Sequence, residues 1–339
     1  MRCPSLADLP APPPDKSGWP WTEESLRLPD KLPDGRPWPR VSIVTPSYNQ
    51  GDFIEETIRS VLLQGYPDLE YIILDGGSTD GSVDIIRKYE PWLAHWVSKR
   101  DGGQTEAINN GWRKATGEIL AYINSDDCYL AGAIAAAVAG FQADREIGMV
   151  YGTAIIIDET GKELRVWKGQ PFDLKTTLTV GSIVPQPTAF FSGKALKRIG
   201  YLDEKWHMIM DYDLCIRISV QWPTVCLPGT LARFRDHRQS KTNTRFEATA
   251  TELIYWLATF SPEHISPEEW RAIKWETLSR VHYEWAMAYL ANGRQYAPKA
   301  LKQLVKSLLQ YPLFVLKRPM GTSYLLKEVL LSYFTAIGV

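Results

Sequence analysis

The chain has 339 residues, of which 45% are hydrophobic and 23% are charged. This composition is typical of a folded globular protein, so it excludes a fibrous or largely disordered chain. The net charge is −1 at pH 7, and no overall field therefore favours nucleic acid as a partner. The four cysteines are scattered and form no CxxC pair, which is typical of a reducing compartment.

The sequence carries no pattern for membrane insertion or export. No apolar run reaches the roughly 18 residues that a membrane-spanning helix requires. The residues after Met1 lack the apolar core of a signal peptide. We therefore expect a cytoplasmic protein.

Residues 1–39 form a segment rich in proline and tryptophan. They contain ten prolines, and proline at this density disfavours both helices and sheet ladders, so we expect an extended arm. Trp19, Trp21 and Trp38 indicate that this arm lies against the folded part of the protein.

Residues 40–130 alternate between apolar strand patterns and amphipathic helix patterns. Buried strands are expected at Val41–Thr45, Tyr71–Leu74, His95–Ser98 and Ile119–Ile123. This alternation predicts an α/β fold with a Rossmann-like, mostly parallel sheet flanked by helices. Neither a GxGxxG nor a GxxxxGK(S/T) motif is present, so no dinucleotide fingerprint or P-loop accompanies the sheet.

The pattern changes in residues 131–245 and again after residue 246. Met149–Ile157 and Leu164–Trp167 are expected to pair as a hairpin, and Asp211–Val220 to form a helix. From residue 246 to the end at 339 the apolar spacing is helical, which predicts a helical C-terminal region.

Two adjacent carboxylates, Asp126 and Asp127, follow the strand at Ile119–Ile123. Adjacent like charges are costly to bury unless a cation or hydrogen-bond donors compensate them. Carboxylate oxygens suit magnesium or manganese, and magnesium is commonly held by one or two carboxylates plus substrate phosphates. The pair therefore indicates a metal–phosphate site, although a solvated turn would also use Ser-Asp-Asp.

Similar polar clusters end the other strands of this segment. They are Pro46–Asn49, Asp75–Asp80, Asp101–Gly103 and Asn124–Asp127. In an open α/β sheet the carboxyl ends of the strands meet at one edge, where ligands usually bind. Convergence of four clusters is harder to explain as turn chemistry than any one cluster.

The ordered set of motifs resembles family 2 glycosyltransferases with a GT-A fold. It consists of Pro-Ser-Tyr-Asn, Leu-Asp-Gly-Gly-Ser-Thr-Asp, Asp-Gly-Gly-Gln and Tyr-Ile-Asn-Ser-Asp-Asp, in the family's order and spacing. The resemblance covers about residues 40–245. It implies a catalytic domain with a nucleotide-sugar half at 40–130 and an acceptor half at 131–245.

The resemblance also implies roles for individual residues in donor binding. Thr45, Pro46 and Tyr48 are expected to form the nucleotide bed, the surface on which the base and ribose lie. Asp75 is expected to hydrogen-bond the base. Asp101 would line the nucleotide site. Asp126 and Asp127 match the family's DXD-type motif, so one would contact the ribose or sugar and the other a magnesium or manganese ion on the diphosphate. Asn124 stands where many members have the first Asp, which leaves the division between Asp126 and Asp127 open.

A catalytic base is the other requirement of sugar transfer. Met210-Asp-Tyr-Asp-Leu-Cys-Ile-Arg217 resembles the family's Glu-Asp-x-Asp-Leu-x-x-Arg segment, with Met210 replacing Glu. Asp211 stands at the position of the catalytic Asp, and a carboxylate within hydrogen-bond reach of a hydroxyl can act as base. Asp213 is expected to cap the helix or pair with Arg217 at i+4. The alternative is that both acids only begin a helix, where its dipole favours them.

Further residues are expected on the acceptor or diphosphate side. By resemblance, Gln186 would lie beside the acceptor, although a buried structural amide is an equal alternative. His237 is a candidate third metal ligand, and Arg235, Arg238 and Lys241 are candidates for phosphate contacts.

The C-terminal region combines basic and apolar residues. Leu301, Leu304, Val305, Leu308 and Leu309 are expected to form one apolar helix face, with lysines off that face. Such a helix can lie on an anionic membrane, which would make the protein peripheral on the inner face of the membrane. The alternative is a helix docked on the catalytic domain.

We therefore expect an inverting, metal-dependent glycosyltransferase. It would move a sugar from a nucleoside-diphosphate sugar to a hydroxyl of a saccharide or lipid-linked saccharide, in cell-surface polysaccharide or glycolipid assembly. One alternative is a nucleotidyltransferase on a similar sheet, which would leave Asp211 without a role. The other is an inactive carbohydrate- or membrane-binding module.

Overall fold

The computed structural model describes residues 1–144, 146–263, 265–318, 321–324 and 326–328. The chain forms two compact units: the first combines Met1–Phe172 with Ile183–His237, and the second combines Asp173–Ser182 with the chain from Arg238 onward. The sequence-based division at residues 39 and 245 stays a prediction. Residues 329–339 of its C-terminal region lie outside the described residues.

A single mixed sheet forms the centre of the first unit. Its strands within the described residues are β1 (Val41–Ser47), β2 (Leu69–Asp75), β3 (His95–Ser98), β4 (Ile119–Tyr122), β5 (Cys128–Tyr129), β6 (Met149–Ile157), β7 (Glu163–Trp167), β8 (Phe190–Ser192) and β9 (Thr224–Arg235). They follow the order β3-β2-β1-β4-β8-β6-β9-β5, and β7 pairs with β6.

The first four strands are parallel, as the sequence predicts. Every residue of β1 is buried, because helices cover both faces of a parallel sheet and its strands lose the apolar–polar alternation. The later strands add antiparallel pairs of β8 with β4 and with β6, and a parallel pair of β6 with β9. The expected hairpin of β6 and β7 is confirmed.

Helices connect these strands on both faces. The helices of the first unit are α1 (Ile54–Leu62), α2 (Ser82–Lys88), α3 (Gln104–Lys114), α4 (Ala133–Gln142), α6 (Gly193–Ile199) and α7 (Met210–Ser219), and α5 (Leu174–Val180) belongs to the second unit. Gly111 brings α3 close to β1, since a Cβ at this position would lie 2.5 Å from Cγ1 of Val44. This close approach fixes the first turn of α3 at the carboxyl edge of the sheet.

The N-terminal arm packs against the rest of the first unit, as its tryptophans indicated. The buried guanidinium of Arg59 on α1 donates to the carbonyls of Pro10, Pro20 and Trp21. A further hydrogen bond joins it to the hydroxyl of Tyr89. One side chain therefore fixes three points of the arm.

Helices make up the second unit. They are α5, α8 (Lys241–Thr244), α9 (Phe246–Thr259), α10 (Pro267–Ala291), α11 (Ala297–Gln310) and α12 (Pro312–Leu316). The helical C-terminal extension is thereby confirmed for the part of the chain that is described. None of these helices is both long and apolar enough to cross a bilayer.

Candidate functional site

The loops that follow β1 and β2 are joined by hydrogen bonds. The backbone N–H of Asn49 donates to Ser78 Oγ at 2.8 Å, and the N–H of Thr79 donates to Asn49 Oδ1 at 2.9 Å. A third bond runs from the N–H of Gly51 to Asp80 Oδ2 at 2.8 Å. Two motifs about 30 residues apart in the chain therefore form one rim at the carboxyl edge of the sheet.

Asp75 organises the loop that follows its own strand. It is buried, and its carboxylate accepts hydrogen bonds from Gly77 N, Ser78 N, Ser78 Oγ and Ser98 Oγ at 2.5–3.0 Å. Three of these bonds end on Oδ2 and only the one from Ser78 Oγ ends on Oδ1. Each carboxylate oxygen has two lone pairs, so Oδ1 keeps one acceptor position, and the predicted contact of Asp75 with a base stays a prediction.

Tyr48 and Asp101 approach each other above Gly76. A Cβ built at Gly76 would lie 3.3 Å from both the Tyr48 ring and Asp101 Oδ1. Tyr48 is 64% exposed, whereas Thr45 is fully buried and shares a 3.0 Å hydrogen bond with the hydroxyl of Tyr71. Tyr48 is therefore the member of the predicted nucleotide bed that offers an open aromatic face.

The pKa of Asp101 reflects its burial and its acidic neighbours. Burial raises the pKa of this carboxyl, and the nearby charges of Glu106 and Asp75 raise it further. Asp101 Oδ1 accepts from Gly103 N at 2.9 Å, just before α3 begins. Pro46 lies within β1, opposite Leu74 of β2, and contributes backbone rather than an exposed side chain.

Asn124 is the centre of an amide network beneath the carboxylate pair. Its Nδ2 donates to Asp127 Oδ2 at 3.3 Å and to Gln186 Oε1 at 3.1 Å, and its Oδ1 accepts from Gln104 Nε2 at 2.6 Å. Gln186 is buried and donates to the carbonyl of Tyr122 at 3.2 Å. The geometry of Gln186 is therefore that of a structural amide, and its contact with an acceptor stays a prediction.

Asp126 and Asp127 point in different directions. Asp127 is buried, and its Oδ1 accepts from the backbone N–H of Arg235 at 2.8 Å. Burial, followed by the charge of Asp126, raises the pKa of Asp127 well above its ordinary range. Asp126 is instead partly exposed, and its Oδ2 lies 3.1 Å from His237 Nε2. The pair thus contains one anchored carboxylate and one that meets an imidazole.

Arg235 has a structural position rather than an open one. The guanidinium is 2% exposed and donates to the carbonyls of Asp126 and Asp158 and to Glu56 Oε2, at 2.8–3.1 Å. It also lies 4.8 Å from the ring centroid of Phe53. These contacts fix the turn that carries Asp126, so the predicted phosphate contact of Arg235 would compete with them and stays a prediction.

The first turn of α3 joins the carboxylate loop to the predicted catalytic helix. Gln104 is bonded to Asn124, and the hydroxyl of Thr105 contacts the carbonyl of Trp206 and the sulfur of Met210. Met210 is the first residue of α7 and directly precedes Asp211. Burial raises the pKa of Tyr122 at the end of β4, and the charges of Asp211 and Asp127 raise it further.

Asp211 is therefore brought to the same edge as the carboxylate pair. It lies in the first turn of α7 and is half-buried. Asp213 is instead buried and accepts from Arg217 Nε at 2.7 Å, which confirms the predicted i+4 pair. Arg238 and Lys241 belong to the second unit, and their phosphate contacts stay a prediction.

The donor set around Asp126 is compatible with a divalent cation. Two ligands at right angles, each about 2.1 Å from an ion, lie about 3.0 Å apart, and the 3.1 Å between Asp126 Oδ2 and His237 Nε2 agrees with this separation. Within the described residues no group of three His, Cys, Asp or Glu side chains is arranged to hold a metal. An ion here would need further oxygens from a ligand such as a diphosphate.

Sequence reasoning did not assign roles to Gln104 and Glu56. Gln104 is bonded to Asn124, and Glu56 balances the buried charge of Arg235. Gln104 directly follows Asp-Gly-Gly, so its place in a motif was a usable signal. Glu56 offered none, because an acid in the first turn of a helix is ordinary.

A family model matches the part of the chain that carries most of these residues. The model for glycosyl transferase family 2 matches residues 42–200, a range that contains Asp75, Asp101 and both members of the carboxylate pair. The chain is 31% identical over 195 residues to the uncharacterized glycosyltransferase MT1564 of Mycobacterium tuberculosis, covering 57% of this chain and 72% of that protein. It is 33% identical over 138 residues to the putative teichuronic acid biosynthesis glycosyltransferase TuaG of Bacillus subtilis, covering 40% and 51%.

Solved structures share the fold at low identity. The mannosyltransferase PcManGT from Pyrobaculum calidifontis, in complex with GDP-Man and Mn²⁺, has a TM-score of 0.55 at 21% identity and covers 88% of each chain. S. aureus TarS 1–349 in complex with UDP has a TM-score of 0.53 at 19% identity, covering 87% of this chain and 89% of that one. These neighbours are GT-A glycosyltransferases, and the fold class predicted from the sequence is confirmed. The family match and the 31% identical relative establish that this chain belongs to glycosyltransferase family 2.

Proposed function

We propose that this protein transfers a sugar from a nucleoside-diphosphate sugar to a hydroxyl acceptor, with inversion at the anomeric carbon. One observation carries the proposal: the first turn of α3 contacts both the carboxylate loop, through Gln104 and Asn124, and the start of α7, through Thr105 and Met210. A group for the leaving diphosphate and a candidate base are thereby brought to one edge of the sheet.

Donor binding would use the rim formed by the loops after β1 and β2. The exposed ring of Tyr48 offers a stacking face for a base, and Asp101 lies beside it. Asp75 would act mainly by holding the backbone of residues 76–78 in place. The neighbours in complex with GDP-Man and with UDP support a nucleotide sugar as the donor class.

Asp126 and His237 would hold a divalent cation at the diphosphate. Such an ion, when bound, neutralises the negative charge that develops on the leaving group. The Mn²⁺ in the complex of PcManGT supports magnesium or manganese. Asp127 would keep its bond to the backbone of Arg235 and position the turn. This assigns the ligand role to Asp126, a division that the sequence leaves open.

Asp211 would be the catalytic base. Its carboxylate takes the proton from the acceptor hydroxyl as that oxygen forms a bond to the anomeric carbon and the bond to the diphosphate breaks. A single displacement of this kind inverts the configuration. The start of α7 holds Asp211, whereas the carboxylate of Asp213 is bonded to Arg217, and we assign the role of base to Asp211.

We propose a saccharide or lipid-linked saccharide of the cell surface as the acceptor, used at the cytoplasmic side of the membrane. The similarity to TuaG, a putative teichuronic acid biosynthesis glycosyltransferase, supports this class. The alternative of nucleotidyl transfer predicts release of pyrophosphate from a nucleoside triphosphate. The alternative of an inactive binding module predicts donor binding without turnover.

A donor panel tests the proposal. The full chain is incubated with UDP-, GDP- and dTDP-sugars, with and without manganese, and released nucleoside diphosphate is measured. We expect release from one nucleotide class, increased by manganese and by added acceptor. Pyrophosphate release from a triphosphate, or donor binding with no release under any condition, would contradict it.

A further inference from the structure

Helix α11 packs inward with only part of its apolar surface. Ala297, Ala300, Leu304 and Ser307 are buried, whereas Val305 is 45% and Leu309 80% exposed. The predicted apolar face of Leu301, Leu304, Val305, Leu308 and Leu309 lies within this helix, but only Leu304 of the five is buried. The buried residues follow a spacing of three and four, typical of helix–helix packing. Val305 and Leu309 lie outside this stripe.

The next helix continues this exposed apolar surface. Phe314 and Val315 of α12 are buried, but Leu313 is 53% and Leu316 67% exposed. Leu309, Leu313 and Leu316 are thus exposed within eight residues of chain. Isolated exposed leucines are ordinary, but a cluster of them marks an interaction surface.

Positive charge accompanies these leucines. Residues 297–327 contain six Lys or Arg and no Asp or Glu. Lys302, Lys306 and Lys317 are exposed, and none of the three forms an ion pair with a carboxylate in the described part of the chain. We call these lysines together with Val305, Leu309, Leu313 and Leu316 the outer face.

A shallow groove adds aromatic residues at Leu309. It has a volume of about 280 Å³ and is lined by Ala272, Trp275, Leu309, Gln310 and Tyr311. Trp275 is 46% exposed. Trp and Tyr favour the interface of a membrane with water, because each ring has an apolar body and a polar edge.

We propose that the outer face binds the surface of an anionic phospholipid bilayer. Exposed leucines can enter the boundary between headgroups and acyl chains, while lysines interact with anionic headgroups. Because residues 297–327 contain no acids, their net charge is positive and complements an anionic surface. Binding is independent of the transfer reaction proposed above, and it would bring the protein to a lipid-linked acceptor.

Vesicle flotation of the full chain tests this proposal. The probes are vesicles of phosphatidylcholine alone and of phosphatidylcholine with phosphatidylglycerol in equal parts. We expect flotation with the anionic vesicles only, weakened by salt because screening shortens the reach of the lysines. The variant Lys302→Glu/Lys306→Glu should lower the partition coefficient at least about tenfold, since each charge near such a surface contributes measurably.

Apolar and control variants separate the outer face from general charge effects. Leu309→Glu/Leu316→Glu should also abolish flotation, whereas Leu164→Glu/Val166→Glu on β7, where both side chains are also exposed, should leave it unchanged. Circular dichroism and donor turnover with a soluble acceptor check that each variant is folded. Flotation that is unaffected by both outer-face variants, or the absence of flotation for the wild type, would overturn the proposal. Self-association through the same residues without vesicles would also overturn it, in favour of an interface between copies.

Discussion

Asp213 accepts a hydrogen bond from Arg217 Nε at 2.7 Å, one turn further along the same helix. Arg217 in turn donates to the carbonyls of Ile199 and Tyr201. Asp213 therefore stabilises the connection between α6 and α7, although it is only two residues from Asp211. The two acids of one motif have separable tasks.

This separation predicts different effects for two matched substitutions. Asp211→Asn should lower the transfer rate by a factor of about 10² or more, because the amide cannot accept the proton. Donor affinity should stay unchanged, and thermal unfolding should show that the variant remains folded. Rate, donor affinity by calorimetry and thermal unfolding are the measurements.

Asp213→Asn is the control for this experiment. It should lower the free energy of unfolding by about 3 kcal/mol, since removing one member of a buried ion pair leaves an uncompensated charge. Residual folded protein should keep its donor affinity. If Asp211→Asn loses donor binding, or retains full transfer, the base is a different residue.

A second prediction concerns Asn124, where many family members have Asp. Asn124→Asp would exchange a donor for an acceptor that faces Asp127 and Gln186, and a third carboxylate would join the pair. We expect destabilisation of about 1–3 kcal/mol, because two hydrogen bonds lose their donor. Urea unfolding measures the change.

The double variant Asn124→Asp/Gln186→Ala measures the interaction free energy between Asn124 and Gln186. With Gln186 removed, the cost of the Asp should fall, because one of the two opposed acceptors is gone. Equal costs in both backgrounds would mean that Asn124 does not act through Gln186.

Metal removal provides a third prediction, with Asp126 and Asp127 as a matched pair. Chelation should abolish donor turnover in the wild type, and manganese should restore it. Asp126→Asn should raise the manganese concentration required for half-maximal rate about tenfold or more, a range typical of altered metal sites. Asp127→Asn should act mainly on the melting temperature, since its carboxylate accepts from both the backbone N–H of Arg235 and Asn124 Nδ2, and an amide keeps only one acceptor oxygen. The opposite pattern would assign the ion to Asp127.

The sequence predicted the parallel strands and the site edge because apolar runs end in polar clusters, and the alternation of strand and helix fixes where those ends meet. It also predicted the Asp213–Arg217 pair, which depends only on local helix spacing. It could not predict that Asp75 accepts a hydrogen bond from Ser98, or that Arg235 is buried beside Glu56. These contacts join residues that are 23 and 179 positions apart in the chain, so their geometry follows from tertiary packing.

A fourth prediction concerns Arg59 and the N-terminal arm. Arg59→Lys keeps the charge, but an ammonium cannot replace the planar fork that reaches the carbonyls of Pro10, Pro20 and Trp21. We expect a loss of roughly 3 kcal/mol in stability, because buried carbonyls become unsatisfied. Limited proteolysis should cut within residues 1–39 earlier than in the wild type. Arg27→Lys, at an exposed position, is the control and should leave the cleavage rate unchanged.

The last prediction is a pH dependence in the second unit. His282 is buried, and its Nδ1–H donates to Gln303 Oε1 at 2.8 Å. Burial lowers its pKa below 6.5, and the charge of Lys306 lowers it further, although the bond to Gln303 opposes the shift. The imidazole of His282 thus binds a proton near pH 6.5 in the unfolded chain, but only at lower pH in the folded chain. Stability from this group is complete above pH 6.5 and is lost as the pH falls through the window below it, by up to about 1.4 kcal/mol per pH unit.

The variant His282→Gln isolates this contribution. Denaturant unfolding of the wild type and of the variant is followed between pH 5 and pH 8 by far-UV circular dichroism, which reports mainly on helices. The difference between their free energies of unfolding should be constant above pH 6.5 and should narrow as the pH falls. Only the wild type has an imidazole at this position, whose pKa is lower in the folded than in the unfolded state. A difference that does not change with pH would mean that His282 titrates alike in both states, and a difference that widens on acidification would mean that the folded protein favours the imidazolium.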